Sequence, residues 1–325
     1  MRHVVCHEYG PLDGLRVVEA PDLVAGAGEV VVDVEAAGVN FVDALICQGR
    51  YQVKTPTPLT PGSEIAGTVR AIGEGVTGVD VGAPVLALPA MGGYASQIVL
   101  PATAVIPMPP GLSAGRAAGL VQSYATMRYA YLQRTTITPG EWVAVLGAGG
   151  GIGLAAVDLA VAMGARVVAC ASSDEKLALA AEVGAEVGIN YEAAGVDLKT
   201  AIREATDGGV DMVVDPIGGD KAEPALRAIR WGGRYLVVGF AAGEIPRLPL
   251  NQVLLNSRSL IGIEWGAWAM RHRDENAAMV SELLAMAASG QIHPVEPTAR
   301  PLADAATVLD DFQHRRIAGK VVLTP

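Results

Sequence analysis

The segment of this sequence with the most specific chemistry is Gly147-Ala148-Gly149-Gly150-Gly151-Ile152-Gly153. It follows an apolar run, Trp142–Leu146 (WVAVL), and opens a stretch of helical period over 151–163. Glycines there let backbone N–H groups approach a pyrophosphate, and a helix N-terminus adds partial positive charge. A glycine run alone could be a tight turn. A strand before it and a helix after it, at the head of a βαβ series, read as a dinucleotide loop with Gly150, Gly151, Ile152 and Gly153 as contacts. The end of the next apolar run, Arg166–Ala171 (RVVACA), decides which dinucleotide. An NAD site carries a carboxylate for the ribose hydroxyls about 20 residues past the loop. This chain has Ala171-Ser172-Ser173 there, and its first acids, Asp174 and Glu175, fall in the following helix. Ser172 can donate to a phosphate, and Lys176 lies one turn further on. An absent acid beside a cation favours NADPH, whose 2′-phosphate a carboxylate would repel. The blander reading is a helix cap at Ser172-Ser173 and a solvated Lys176; capping and phosphate binding are compatible.

These residues need a scaffold, and the pattern supplies one. Beyond Ser113, helical segments at 113–118, 123–132, 151–163, 174–183, 198–205 and 221–229 alternate with apolar runs at 142–146, 166–171, 187–190, 210–215, 234–238 and 260–263. That alternation predicts a doubly wound parallel sheet of Rossmann type, its strands buried on both faces. Residues 1–115 differ. Runs such as 29–35 (EVVVDVE), 67–72 (GTVRAI) and 83–88 (APVLAL) are cut by Gly and Pro, which predicts a β-rich, barrel-like unit with few helices. The uncharged run 81–115 contains Pro84, Pro89, Pro101, Pro107, Pro109 and Pro110, so it is not a membrane helix. Helices over 275–288 and 302–313 and a strand over 320–323 complete the first domain. The expected organisation is 1–115 plus 266–325 as a discontinuous β-rich domain, with 116–265 inserted as the cofactor domain.

Composition narrows the function. The 325 residues are 51% hydrophobic and 18% charged, which excludes a disordered chain. A formal net charge of −10 argues against nucleic acid or an anionic membrane surface as partner. Cys6, Cys47 and Cys170 are too few for a disulfide framework, and the N-terminus lacks the apolar core of a signal peptide. The expectation is a cytoplasmic protein with reduced thiols.

The sequence resembles the zinc-free quinone oxidoreductases of the medium-chain dehydrogenase/reductase superfamily, those related to zeta-crystallin. The resemblance runs along essentially the whole chain. Its markers are Ala36-Ala37-Gly38-Val39-Asn40 with Asp43, Gln48-Gly49-Arg50-Tyr51, Pro61-Gly62-Ser63-Glu64, Gly150-Gly151-Ile152-Gly153, Asp215-Pro216-Ile217-Gly218-Gly219, Val238-Gly239-Phe240, Asn256, Trp265-Gly266 and Gly319-Lys320-Val321-Val322. It implies a GroES-like β-rich catalytic domain beside the Rossmann domain. It also implies Asn40 and Thr126 near the nicotinamide, with Asn40 on the substrate side, and Gly239 and Phe240 bordering the same ring. Ser172, Lys176, Tyr191 and Arg315 would surround the 2′-phosphate, Arg315 competing for that role with Arg316. Zinc-dependent relatives place Cys at position 40 and His at position 63. Asn40 and Ser63 are poor zinc ligands, no CxxC occurs, and His3, His7, His272, His293 and His314 form no ligand motif, so no metal is expected. Bacterial relatives usually carry Tyr and often Arg where this chain has Leu45 and Cys47, which implies a more apolar pocket.

Without a Lewis acid, the suitable hydride acceptor is one that already delocalises charge. A quinone fits first, and an activated C=C bond (an enone, an acrylate-type acceptor or an enoyl-CoA thioester) second. Tyr51 is the candidate proton donor or, equally, a wall of the pocket. A non-catalytic NADPH-binding, crystallin-like protein is a remote third reading. The apolar stretch 253–255 followed by a strand over 259–263 would leave an exposed sheet edge, so a homodimer through the Rossmann sheet edge is expected.

Overall fold

The computed structural model describes residues 1–52 and 54–325. The chain divides into two units. The first holds Met1–Gln122, Val280–Ala288 and Glu296–Pro325; the second holds Ser123–Met279 and Ser289–Val295.

The chain begins with a two-stranded antiparallel pair, β1 (Arg2–Val5) and β2 (Arg16–Glu19). The long strand β3 (Glu29–Gly38) follows, then a short helix α1 (Phe41–Cys47). Next come β4 (Ile65–Ile72), β5 (Pro84–Ala87), β6 (Gln97–Pro101) and β7 (Val105–Pro107). β3 pairs with β4 and β6, β4 with β5, and β5 with β7, all antiparallel. Val30, Val31 and Val32 are fully buried because β3 is covered on both faces. The helix α1 was not expected in this β-rich stretch: seven residues carry too few turns to show a period. The segments predicted as two helices, 113–118 and 123–132, form one helix, α2 (Ala114–Tyr129), continued by a π-type turn over Ala130–Arg134. Gly119 does not interrupt α2. A Cβ there would stand 3.3 Å from both Lys320 and Pro297, so glycine admits those side chains.

In the second unit, strands and helices alternate: β8 (Trp142–Leu146), α3 (Gly151–Ala162), β9 (Arg166–Ala171), α4 (Asp174–Glu182), β10 (Val187–Asn190), α5 (Leu198–Ala205), β11 (Val210–Asp215), α6 (Ala222–Ala228), β12 (Ile229–Val237), α7 (Leu250–Leu255) and β13 (Ser259–Gly262). All pairings are parallel and the strand order is β10-β9-β8-β11-β12-β13, the 3-2-1-4-5-6 order of a dinucleotide-binding sheet. Every residue of β8 is buried, and each Val or Leu so buried contributes about 1.5–3 kcal/mol. Helix α8 (Trp265–Arg271) follows, then α9 (Arg273–Ala288), whose residues up to Met279 belong to this unit and whose residues from Val280 belong to the first. All four tryptophans, Trp142, Trp231, Trp265 and Trp268, belong to this unit.

The chain then returns to the first unit. β14 (Thr298–Pro301), α10 (Ala305–Gln313) and β15 (Val321–Thr324) extend its sheet to the order β14-β15-β3-β4-β5-β7, with β6 on β3. The core of this unit joins Val30, Val32, Ile65 and Tyr94 to Leu309 and Leu323. A GroES-like β-rich unit and a parallel Rossmann unit are thus both present, as the sequence predicts.

Candidate active site

In the second unit, β8 delivers the chain into the glycine loop. Gly147 takes φ +60°, and the Gly150 N–H donates to its carbonyl at 3.0 Å. The Ala148 N–H donates to Cys170 O at 3.1 Å, which ties the loop to β9. Two glycines have no substitute. A Cβ on Gly153 would lie 2.1 Å from Gly147 O, and one on Gly149 would lie 2.3 Å from Lys176 Cβ. The first lets α3 start directly on the loop, and the second lets the opening turn of α4 close upon it. With Gly150 as N-cap, the first N–H groups of α3 have no partner within the helix and suit an anion.

Beside this loop, β9 ends at Ala171. Ser173 caps α4 by accepting the Lys176 N–H at 3.4 Å, and Lys176 Nζ donates to Ser172 Oγ at 3.3 Å. The Tyr191 N–H donates to Ala171 O at 3.1 Å. Ser172, Lys176 and Tyr191 are therefore gathered at the ends of β9 and β10, while Arg315 belongs to the first unit, just after α10, with φ +56°. Its neighbour Arg316 is ion-paired with Asp310 and, at 2.7 Å, with Asp311. The buried Asp215 organises the turn after β11: its Oδ1 accepts the N–H groups of Ile217 at 2.7 Å and Gly218 at 2.9 Å, and its Oδ2 accepts the Tyr235 hydroxyl. Burial raises the Asp215 carboxyl, and these donors oppose the rise. The Gly239 N–H donates to Asp215 O at 3.3 Å, and Phe240 follows, partly exposed. Thr126 sits half-buried on α2. A glycine cradle on a helix N-terminus, with a hydroxyl and a cation where an acid would repel a 2′-phosphate, fits NADPH.

The first unit contributes a buried polar cluster. Asn40 precedes α1, and its N–H donates to Asp43 Oδ2 at 2.9 Å. Its Nδ2 donates to Glu64 Oε1 and to Gln122 Oε1, both at 2.9 Å, and its Oδ1 accepts Lys320 Nζ at 2.6 Å. Lys320 Nζ also donates to Glu64 Oε1 at 2.7 Å, and the Gln122 N–H donates to Glu64 Oε2 at 2.8 Å. Ser63 Oγ donates to Gln122 Oε1 at 2.8 Å and lies 3.5 Å from Asp43 Oδ1. Tyr94 OH donates to Asp43 Oδ2 at 2.8 Å. Gly38 makes room, because a Cβ there would stand 2.3 Å from Glu64 Oε1. Asp43, Glu64 and Tyr94 are wholly buried and Lys320 nearly so. Burial pushes the Asp43 carboxyl up to about 6, against the Asn40 N–H, the Tyr94 hydroxyl and the charge of Lys320.

Two consequences follow for the predicted residues. The Asn40 amide has both its hydrogens and its oxygen engaged, so to bind a substrate oxygen it must release Glu64 or Gln122. Tyr51 is set by the turn that ends α1: its N–H donates to Leu45 O at 3.1 Å, and its ring packs on the core of the first unit. Cys47 is buried, and desolvation raises its thiol strongly, so it fills space and is no nucleophile. Burial raises Cys6 likewise, and Cys170 to about 12. Among the described residues, no three His, Cys, Asp or Glu side chains gather as metal ligands. Sequence reasoning missed Gln122 and Tyr94, and gave Lys320 no role beyond a family marker.

Comparison with known proteins agrees with this geometry. Residues 26–110 match the alcohol dehydrogenase GroES-like domain and residues 151–285 the zinc-binding dehydrogenase family. The rat quinone oxidoreductase-like protein 2 is 36% identical over 99% of this chain and 92% of its own. The structure of Escherichia coli quinone oxidoreductase complexed with NADPH superposes with a TM-score of 0.89 at 28% identity, covering 100% of both chains. The Thermus thermophilus quinone oxidoreductase, solved alone and with NADPH, gives 0.84 at 32% identity, again covering 100% of both chains. With the glycine cradle on one unit and the Asn40 cluster on the other, the chain belongs to the quinone oxidoreductase branch of the medium-chain dehydrogenase/reductase family.

Proposed function

We propose that this oxidoreductase uses NADPH to reduce a quinone and needs no metal ion. The observation that carries the cofactor is the end of β9, where Ala171 replaces an acid and Ser172 lies 3.3 Å from Lys176 Nζ. The two quinone oxidoreductases solved with NADPH support the same choice. Gly150, Gly151, Ile152 and Gly153 would hold the pyrophosphate, and Thr126, Gly239 and Phe240 the nicotinamide end. When bound, NADPH supplies the hydride. Lys176 and Ser172 bind the 2′-phosphate by charge and hydrogen bond. On the substrate side, Asn40 orients the acceptor, and Tyr51 donates a proton or walls the pocket. Asn40 and Ser63 are hard, weakly basic donors, and the nearby Glu64 is neutralised by Lys320, which supports independence from metal.

The same reading takes the molecule to be a homodimer. β13 ends its sheet and pairs only with β12 among the described strands. Beside it Leu250, Leu254 and Leu255 of α7 are 69%, 79% and 72% exposed, an apolar surface suited to a second copy. The test of function is NADPH oxidation against a panel of quinones, enones and enoyl-CoA esters, with and without a chelator. Quinone reduction with NADPH preferred over NADH by at least about tenfold in kcat/KM is expected. Turnover of an enone or thioester alone would replace the quinone by an activated C=C bond. Binding of NADPH without any turnover would make the protein non-catalytic.

A further inference from the structure

The turn after β11 brings one more charged side chain to the Tyr191 corner. Gly218 and Gly219 both take positive φ, +69° and +61°, and the next residues form a single tight turn, Gly219–Lys221. Asp215, held by Tyr235, fixes the start of this turn through the N–H groups of Ile217 and Gly218. Lys221 is thus delivered from a rigid base. Its Nζ lies 5.2 Å from the centroid of the Tyr191 ring, within range of a cation–π contact. It is also 3.3 Å from a Glu192 oxygen and 3.1 Å from an Asp220 oxygen. Its side chain is only 20% exposed, against 54% and 81% for those two acids.

The charges around this corner make that placement matter. Asp174 and Glu175 occupy the first turn of α4, and Asp174 accepts the Asn190 amide at 2.9 Å. Glu192 and Asp220 add two more carboxylates beside Tyr191. These carboxylates oppose Lys176 in attracting an incoming dianion. We propose that Lys221 sets the preference for a 2′-phosphate, by fixing the Tyr191 ring and by neutralising Glu192 and Asp220 next to it. This rests on the reading of Ser172, Lys176 and Tyr191 as the 2′-phosphate site. Lys221 is a positioning residue here: it acts through Tyr191 and the two acids.

The test measures binding in the full-length protein, with 2′,5′-ADP and 5′-AMP as probes that differ only by the 2′-phosphate. In Lys221→Met, which keeps the aliphatic stem, calorimetry should show 2′,5′-ADP weakened about tenfold and 5′-AMP changed by less than about twofold. Lys221→Arg should stay within about threefold of wild type, because charge and ring contact persist. Adding Glu192→Gln and Asp220→Asn to Lys221→Met should recover most of the loss. Equal weakening of both probes, or an unchanged ratio between them, overturns the proposal while the 2′-phosphate site stands. Wild-type protein that binds the two probes equally overturns that site and the proposal together.

Discussion

Replacing Asp43 by asparagine should change how stability depends on pH, in a direction the buried cluster dictates. Asp43 is wholly buried, and burial raises its carboxyl from 3.8 to about 6 in the folded protein. The native state therefore binds this proton more tightly than the unfolded chain does. Well below pH 3.8 both states are protonated, and the group's stabilising contribution is fully present. As pH rises, the unfolded chain ionises first, and the contribution drains away until the native carboxyl also ionises near pH 6. The interval between those two values, at about 1.36 kcal/mol per pH unit, makes the loss about 3 kcal/mol. The amide oxygen of the asparagine still accepts the Tyr94 hydroxyl and the Asn40 N–H, and it does not titrate. The stability of Asp43→Asn minus that of wild type should thus rise by about 2 kcal/mol of that total between about pH 4 and pH 7. Urea denaturation of both proteins at one concentration, across that range, measures this difference, and titrating groups that do not interact with Asp43 cancel in it. Parallel stability curves would refute the reasoning, because they would mean that Asp43 ionises in the fold as freely as in water.

Lys320→Met should cost about 3–5 kcal/mol by stranding the Glu64 carboxylate, and Glu64→Gln with Lys320→Met should recover most of it; thermal unfolding of the three variants decides. Gly153→Ala should abolish binding of 2′,5′-ADP and lower the melting temperature, since its Cβ would meet Gly147 O at 2.1 Å; normal ligand binding would contradict the loop assignment. Tyr51→Phe should reduce quinone turnover by less than about tenfold and that of any active enone by more, up to about 10²–10⁴-fold; equally small losses would leave Tyr51 as a wall. Light scattering should give a dimeric mass for wild type and a monomeric one for Leu254→Glu, and a monomeric wild type would remove the interface.

What the sequence discloses here is what is local. The glycine loop, the missing acid at Ala171 and Lys176 one turn later sit within about thirty residues of one another, and the strand–turn–helix spacing shows them directly. The fold is legible for the same reason: parallel strands buried on both faces read as continuous apolar runs. The Asn40 cluster is not legible in that way. Lys320 meets Asn40 from 280 positions away, and in sequence it shows only as the start of the last strand and as part of a family marker. Tyr94 looks like one more residue in a glycine-rich turn, yet its hydroxyl bonds Asp43 at 2.8 Å. Short helices escape too. Neither α1 nor α7 is long enough to show a period, and α1 depends on the Asn40–Asp43 contact at its start rather than on propensity.

The placement of every tryptophan in the second unit divides what light can report. Trp142 lies buried under the Arg166 guanidinium, 4.0 Å from its ring, at the base of the strand that leads to the glycine loop. Trp231 is 76% exposed near the edge of the same sheet. Emission from this protein is therefore a record of the unit that carries that loop. The first unit, where Asn40, Asp43 and Lys320 sit, has only tyrosine to emit. A melting curve followed at tryptophan wavelengths can look like a single cooperative event while it is blind to that unit. A tryptophan introduced there, at the exposed Ile72 on β4 for instance, would give it a voice of its own.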